Sequence, residues 1–309
     1  MPANLASSRP LRALSLAALA LLMAAPALAQ SRRQGAELPQ MRLSQRPLIV
    51  AHRGRATSDG AENSLVQMQQ VASHQIGVEM DLAASQDGVL YLLHDPTLDR
   101  TTTGTGPIKA QTSQALDAVK LKDGHGKPTD EALPRLTKVL DWAAGVPDVI
   151  LMIDLKGIKA ATLAPLLRER KLQDRVILLT FERGAAAEAL ASADGAMVSV
   201  LIKTQSDANY YKRIAAGRPL AMYVPQDSKN KVFGYAKTAG AVLVTDVIDG
   251  EGEDSADLNA KVAKQGCKAY LDYIDAHYTD VLVTNHPKCA AQTLKAYVPT
   301  TATTDNGPH

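Results

Sequence analysis

The chain has 309 residues, with 34 Lys and Arg against 32 Asp and Glu, and 46% of its residues are hydrophobic. Its formal charge of +2 falls to zero when the first 29 residues, which hold Arg9 and Arg12 and no acid, are set aside. A chain balanced in this way has no electrostatic pull toward nucleic acid or an anionic membrane, so neither is expected as a partner.

Arg9 and Arg12 precede an apolar run from Ala13 to Ala25 that closes on Ala27-Leu28-Ala29, the order of a secretory signal. Cleavage is expected after Ala29, giving a periplasmic or secreted protein. The apolar run is shorter than the ~20 residues a spanning helix needs, so no stable membrane insertion is expected after cleavage. Residues 30 to 45 keep no sustained period and are expected to form a linker or arm. The stretch from 46 to 298 suits one barrel domain of about 250 residues. The Thr-, Asn-, Gly- and Pro-rich tail, 299 to 309, is expected to be disordered.

Short apolar runs recur at 48–51, 78–83, 89–93, 149–155, 175–180, 196–202, 220–224, 241–246 and 281–284. Between most of them lie stretches with helical spacing, among them Ser64 to Gln75, Ile158 to Arg170, Glu182 to Ala193, Ser255 to Gln265 and Pro287 to Ala296. The alternation predicts an α/β fold, a TIM-type (β/α)8 barrel variant. Nine runs compete for eight places, and 220–224 is the weakest. Ala84 to Gly88 is too short for a helix, so the connection of the second strand to the third is irregular and returns through Gln86-Asp87-Gly88. A long insertion, about 101 to 134, follows the third strand, where barrels place substrate-selecting loops. Cys267 and Cys289 could pair in an oxidising compartment or stay as two buried thiols.

The chemistry gathers at the strand ends. The first strand runs into His52-Arg53-Gly54, and a planar guanidinium suits two phosphate oxygens at once. On the second strand Glu79 and Asp81 share one face while Met80 and Leu82 take the other. Two acids inside an apolar barrel need a hard cation or paired Lys or Arg to offset them. Leu90, Leu92 and His94 share one parity on the third strand, and Met152, Asp154 and Lys156 share one on the fourth. Oxygen ligands for Ca²⁺ or Mg²⁺, cations for a phosphoryl group and two imidazoles are what phosphodiester cleavage requires. Zinc is less favoured, since the histidines lack close ligand pairing and no cysteine lies near them. His125, His277 and His286 are read as surface or supporting residues, and Gly104-Thr105-Gly106 as a turn.

These residues resemble the glycerophosphodiester phosphodiesterase family of the phospholipase-C-like phosphodiesterase barrels. The resemblance rests on His52-Arg53-Gly54, Glu62-Asn63, Glu79-x-Asp81, Gln86-Asp87-Gly88, His94-Asp95 and Leu98-x-Arg100-Thr101-Thr102. Leu133-Pro134-x-Leu136, Ile153-Asp154-Leu155-Lys156, Thr180-Phe181 and Val283-Thr284-Asn285-His286-Pro287 extend it along the chain. It implies that Glu79, Asp81 and Asp154 hold one divalent cation, that His52 and His94 are the acid and base, and that Arg53 and Lys156 hold the phosphate. Glu62 would orient Arg53, and Asn63 would donate to the same shell. The implied reaction releases glycerol 3-phosphate and an alcohol through a cyclic phosphate, with the order of the two histidines open.

The pattern departs from the family in five places. Asp154 stands for the usual glutamate, Ala61 for a proline, Ser64 for a threonine, Val244-Thr245-Asp246-Val247 for a Trp-Thr-Val-Asn run that supplies an aromatic wall, and Asn285 for an aspartate. Two rival readings accompany the first: phospholipase-D-like action on lysophospholipid or sphingolipid, and a non-catalytic periplasmic binding barrel. The second would be expected to lack a catalytic histidine or a metal acid, and none is missing.

Overall fold

The computed structural model describes residues 47–248, 261–262 and 264–294. The expected signal segment 1–29, the arm 30–45, the tail 299–309 and most of the helix expected at Ser255 to Gln265 lie outside the described residues. The strands are β1 Leu48–Ala51, β2 Gly77–Ala84, β3 Leu90–Leu92, β4 Lys120–Lys122, β5 Pro128–Ala132, β6 Leu151–Asp154, β7 Val176–Thr180, β8 Met197–Leu201, β9 Leu220–Tyr223, β10 Val242–Val247 and β11 Val281–Thr284. Eight of them pair in parallel in the order β1-β2-β6-β7-β8-β9-β10-β11, and β11 pairs back to β1, closing the barrel. The helices are α1 Leu65–Ala72, α2 Ser113–Leu116, α3 Leu136–Ala144, α4 Ala160–Glu169, α5 Arg183–Ser192, α6 Gln205–Ala215, α7 Asn230–Ala239, α8 Ala269–His277 and α9 Pro287–Leu294. No described helix is long and apolar enough to cross a membrane.

Period-two alternation divides the barrel residues between two cores. Leu48, Val50, Met152, Ile177, Leu179, Tyr223, Val244 and Val283 pack together inside the barrel. Ile49, Val78, Met80, Leu82, Ile153, Leu178, Val200 and Leu282 pack outward against the helices. Glu79 and Asp81 alternate with Val78, Met80 and Leu82, so they have the parity of the interior, as expected from the sequence.

The surplus strand is not the one expected. β9, at 220–223, is a full member of the barrel, hydrogen-bonded to β8 and β10. Its run reads weakly because a strand buried on both faces has no polar alternation to announce it. The strand outside the ring is β3, which folds back antiparallel on β2 with Leu82 opposite Leu92. The Gln86-Asp87-Gly88 turn makes this return, with Gly88 at φ +81°. Asp87 accepts hydrogen bonds from the Ser113 amide (2.8 Å) and hydroxyl (2.7 Å), fastening the turn to the start of α2.

The insertion contains an antiparallel pair, β4 with β5, that its polar sequence does not signal. Leu98, Ile108, Leu116, Leu121 and Leu133 form a small core there with Tyr91 and Leu93. Glu131 of β5 accepts from the Leu65 amide (2.7 Å) and from the Ser64 hydroxyl, which completes the first turn of α1. The Gly124 amide donates to the Asp59 carbonyl at 2.9 Å. The insertion is thereby tied to the loop that carries Glu62 and Asn63. At the far end of the chain, Cys267 and Cys289 form a disulfide with Cα atoms 5.2 Å apart, joining the segment before α8 to α9.

Candidate active site

Parallel strands deliver their C-terminal ends to one rim, and the chain leaves β1 there in a single turn, His52–Gly54. Arg53 (φ +51°) and Gly54 (φ +65°) both take left-handed backbone. A Cβ at Gly54 would lie 2.6 Å from Met68 Cγ, so glycine is needed for space as well as for φ. The turn aims the Arg53 amide at Glu79, which accepts from it at 2.6 Å. Burial, with the charge of Asp81 added, pushes the Glu79 carboxyl well above its ordinary range.

Asn63, also left-handed at φ +56°, grips Asp81 from both ends. Its Nδ2 donates to Asp81 Oδ2 and its Oδ1 accepts from the Asp81 amide, each at 3.1 Å. Glu62 Oε2 accepts from Arg53 Nη1 at 3.0 Å, the orienting contact expected from the sequence.

Register does the rest on the neighbouring strand. Asp81 of β2 faces Asp154 of β6 directly, one strand spacing away. Lys156, left-handed at φ +45°, turns back so that its Nζ lies 3.3 Å from Asp81 Oδ1 and 3.4 Å from Asp154 Oδ2. Burial raises the pKa of Asp154, with the Asp81 charge adding to it against the pull of Lys156. Arg53, Asn63 and Lys156, none of them glycine, store strain in left-handed backbone that the surrounding bonds must hold.

The two imidazoles have different supports. Asn285, first after β11, accepts from Arg55 Nη2 at 2.9 Å, and since a guanidinium only donates, the atom facing it is the amide oxygen. The same oxygen lies 2.8 Å from His52 Nδ1. That nitrogen therefore carries the proton, and Nε2 is left as the acceptor. Burial, reinforced by the Arg53 charge, lowers the His52 pKa to about 4. His94 Nδ1 lies 2.8 Å from Asp95 Oδ1, so a carboxylate stands behind this ring where an amide stands behind the other.

His52, Arg53, Glu79, Asp81, His94, Asp154 and Lys156 line one cavity of about 240 Å³. Every residue expected to catalyse, to bind the ion or to bind phosphate is thus in one place, with Glu62 and Asn63 directly behind. Phe181, Tyr223 and Asp246 line the same cavity, and the two rings meet edge to face with centroids 5.2 Å apart. An aromatic wall is therefore present, supplied by β9 and the end of β7 where the sequence reading saw one lost from β10.

The donor chemistry suits a hard divalent ion: three carboxylates on one rim, of which Glu79 and Asp154 are pushed toward neutrality by burial and by the charge of Asp81. Among the described residues no group of three His, Cys, Asp or Glu side chains already has the geometry of a metal site. The Lys156 ammonium answers the charge of Asp81 and Asp154 in this structure. Four residues with evident work were not assigned it from sequence. Asp95 and Arg100 stand in the resembling motifs, Asn285 follows the inward parity of Val281 and Val283, and Arg55 had no local signal.

A closed parallel barrel with acids, imidazoles and cations on its C-terminal rim has the parts that phosphodiester cleavage on a TIM barrel requires. The chain belongs to the glycerophosphoryl diester phosphodiesterase family, whose profile matches residues 52–280. It is 33% identical over 112 residues to bovine (Bos taurus) glycerophosphodiester phosphodiesterase 1, covering 35% of this chain and 33% of that protein. The chain spans 60% or less of the length of the curated relatives it first matches. A glycerophosphoryl diester phosphodiesterase from Parabacteroides distasonis has a similar structure (TM-score 0.71, 23% identity, 86% of this chain and 94% of that one). So does an Oleispira antarctica phosphodiesterase solved with its product sn-glycerol-3-phosphate (TM-score 0.60, 18% identity, 82% and 99%). At these identities the structural likenesses bear on the fold.

Proposed function

We propose that the protein hydrolyses glycerophosphodiesters to glycerol 3-phosphate and an alcohol. The observation that carries this reading is the meeting of His52, His94, Arg53 and the three carboxylates in one cavity at the barrel rim. Glu79, Asp81 and Asp154 would hold one Ca²⁺ or Mg²⁺, which when bound neutralises charge on the phosphoryl group. Arg53, fixed by Glu62, offers its guanidinium to the phosphate, and Lys156 adds a second positive charge.

The unequal support of the two imidazoles suggests an order. His52 is neutral through the neutral pH range with Nε2 bare, so it accepts the proton of the substrate hydroxyl that attacks phosphorus. His94 has the Asp95 carboxylate behind it to stabilise an imidazolium, so it gives a proton to the departing alkoxide. A cyclic phosphate and a free alcohol result. In the second step the roles exchange: His94 takes a proton from water, the water oxygen bonds to phosphorus, and His52 returns a proton to the ring oxygen as the ring opens. Support for the substrate class comes from the family and from the product held by the Oleispira antarctica phosphodiesterase. An exported location is also inferred, from the signal-like order of the first 29 residues and from a paired Cys267 and Cys289.

The test is product analysis on glycerophosphocholine, glycerophosphoglycerol and a lysophospholipid, before and after chelation and after Ca²⁺ or Mg²⁺ is restored. The reading expects glycerol 3-phosphate from the first two, lost on chelation and recovered with the ion. Turnover of the lysophospholipid alone, or of none of the three, overturns it.

A further inference from the structure

On the rim beside the cavity, one guanidinium bridges two carboxylates. Arg100 Nη1 donates to Glu62 Oε1 at 2.7 Å and Nη2 to Glu62 Oε2 at 3.0 Å. Its other edge meets Asp95, with Nε to Oδ2 at 2.7 Å and Nη2 to Oδ1 at 2.9 Å. Four of its five N–H groups are used in two forks, which only a planar guanidinium can supply.

The two carboxylates lead to different parts of the site. Glu62 orients Arg53 through Nη1, and Asp95 accepts a hydrogen bond from His94 Nδ1. We propose that Arg100 is a positioning residue that keeps the phosphate-holding arginine and the proton-donating histidine in register with each other. The proposal rests on the phosphodiesterase reading for what that register achieves, but the coupling itself is a property of the folded protein.

A general stabilising role fits the geometry poorly. The Arg100 side chain is 47% exposed, whereas those of Glu62 and Asp95 are 12% and 23% exposed. The buried ends of the network are therefore the carboxylates, and Arg100 reaches in from solvent to fix them. Its hydrogen bonds hold Asp95 well below the ordinary carboxylate range. Burial opposes ionisation of Glu62, yet the Arg100 bonds and the Arg53 charge bring it down to about 2. Both acids are thus kept in the charged, accept-only form that their partners require. The position lies in the motif Leu98-x-Arg100-Thr101-Thr102, and Thr102 anchors the same turn by donating to the Leu98 carbonyl at 2.7 Å.

The experiment is a three-residue cycle on the full chain, Glu62→Gln and Asp95→Asn singly and together, in the presence and absence of Arg100→Ala. Turnover of glycerophosphoglycerol and the ¹⁵N shifts of His94 are the readouts. With Arg100 present, the two substitutions should depart from multiplicative behaviour in kcat/KM by about threefold or more. In the Arg100→Ala background their effects should multiply. Arg100→Lys, which keeps the charge and loses both forks, should behave as Arg100→Ala does, each lowering kcat/KM by about 10- to 100-fold. The hydrogen bond from His94 Nδ1 to Asp95 should weaken in both, moving the Nδ1 ¹⁵N resonance. Multiplicative behaviour with Arg100 present, an equal departure without it, or an unmoved His94 Nδ1 resonance overturns the proposal. That resonance reads out even if no diester is cleaved by the unsubstituted protein, so failure of the phosphodiesterase reading is distinguishable from failure of this one.

Discussion

Asp81 and Asp154 face each other across neighbouring parallel strands, and the Lys156 ammonium lies within 3.4 Å of an oxygen of each. An ion held by these carboxylates, as proposed, would compete with the ammonium for them. Lys156→Met should tighten Ca²⁺ or Mg²⁺ binding, since it removes the ammonium that now pairs with both carboxylates, while lowering turnover. Asp154→Asn should weaken ion binding. Titration calorimetry on the substrate-free protein checks both; unchanged affinity in Lys156→Met would remove the competition.

Behind His52 stands a neutral amide. Asn285→Asp would place a negative charge 2.8 Å from Nδ1 and raise the His52 pKa from about 4. Because a base must be neutral to accept a proton, the acid limb of the pH–rate profile should move to higher pH, by about one unit or more. A profile identical to that of the unsubstituted protein would mean that His52 is not the group titrating in that limb.

How much of this could be read from sequence differs residue by residue. Glu79, Asp81 and Asp154 were legible because strand alternation puts whole sets of residues on one face, and the neighbouring Met80, Leu82 and Ile153 show which face is buried. His94 was placed at the end of a barrel strand, yet it follows a hairpin strand outside the ring. It reaches the site because β3 returns along β2, which parity alone does not reveal. The Asn285 and Arg55 pair joins positions 230 residues apart, and Arg100 meets Glu62 across 38. Contacts of that kind depend on barrel closure and on the path of the insertion, and no local pattern encodes either. Tyr223 was missed for a simpler reason, since a strand buried on both faces looks like any short apolar run.

Gly54 carries a strong constraint. Gly54→Ala must hold φ +65° with a methyl 2.6 Å from Met68 Cγ and 3.5 Å from Val78 Cγ1, so it should cost about 2–3 kcal/mol. Denaturant unfolding should show a lower midpoint with an unchanged slope. Because Arg53 and Asn63 are bonded through the same turn, activity should fall as well. A midpoint equal to that of the unsubstituted protein would show that the turn relaxes freely.

The disulfide closes 22 residues between Cys267 and Cys289, and Cys289 lies four residues beyond Asn285. Replacing both cysteines by serine should lower stability by about 2–4 kcal/mol. The loss should appear equally on reduction of the unsubstituted protein and be absent on reduction of the double variant.

The central claim is that two imidazoles act as partners in proton transfer on one phosphodiester. Its most direct test is the rate of glycerophosphocholine hydrolysis by His52→Ala and His94→Ala with Ca²⁺ or Mg²⁺ present. Each should be slower by about 10²- to 10⁴-fold while thermal unfolding shows the fold intact. Hydrolysis by either variant at the unsubstituted rate would contradict the account.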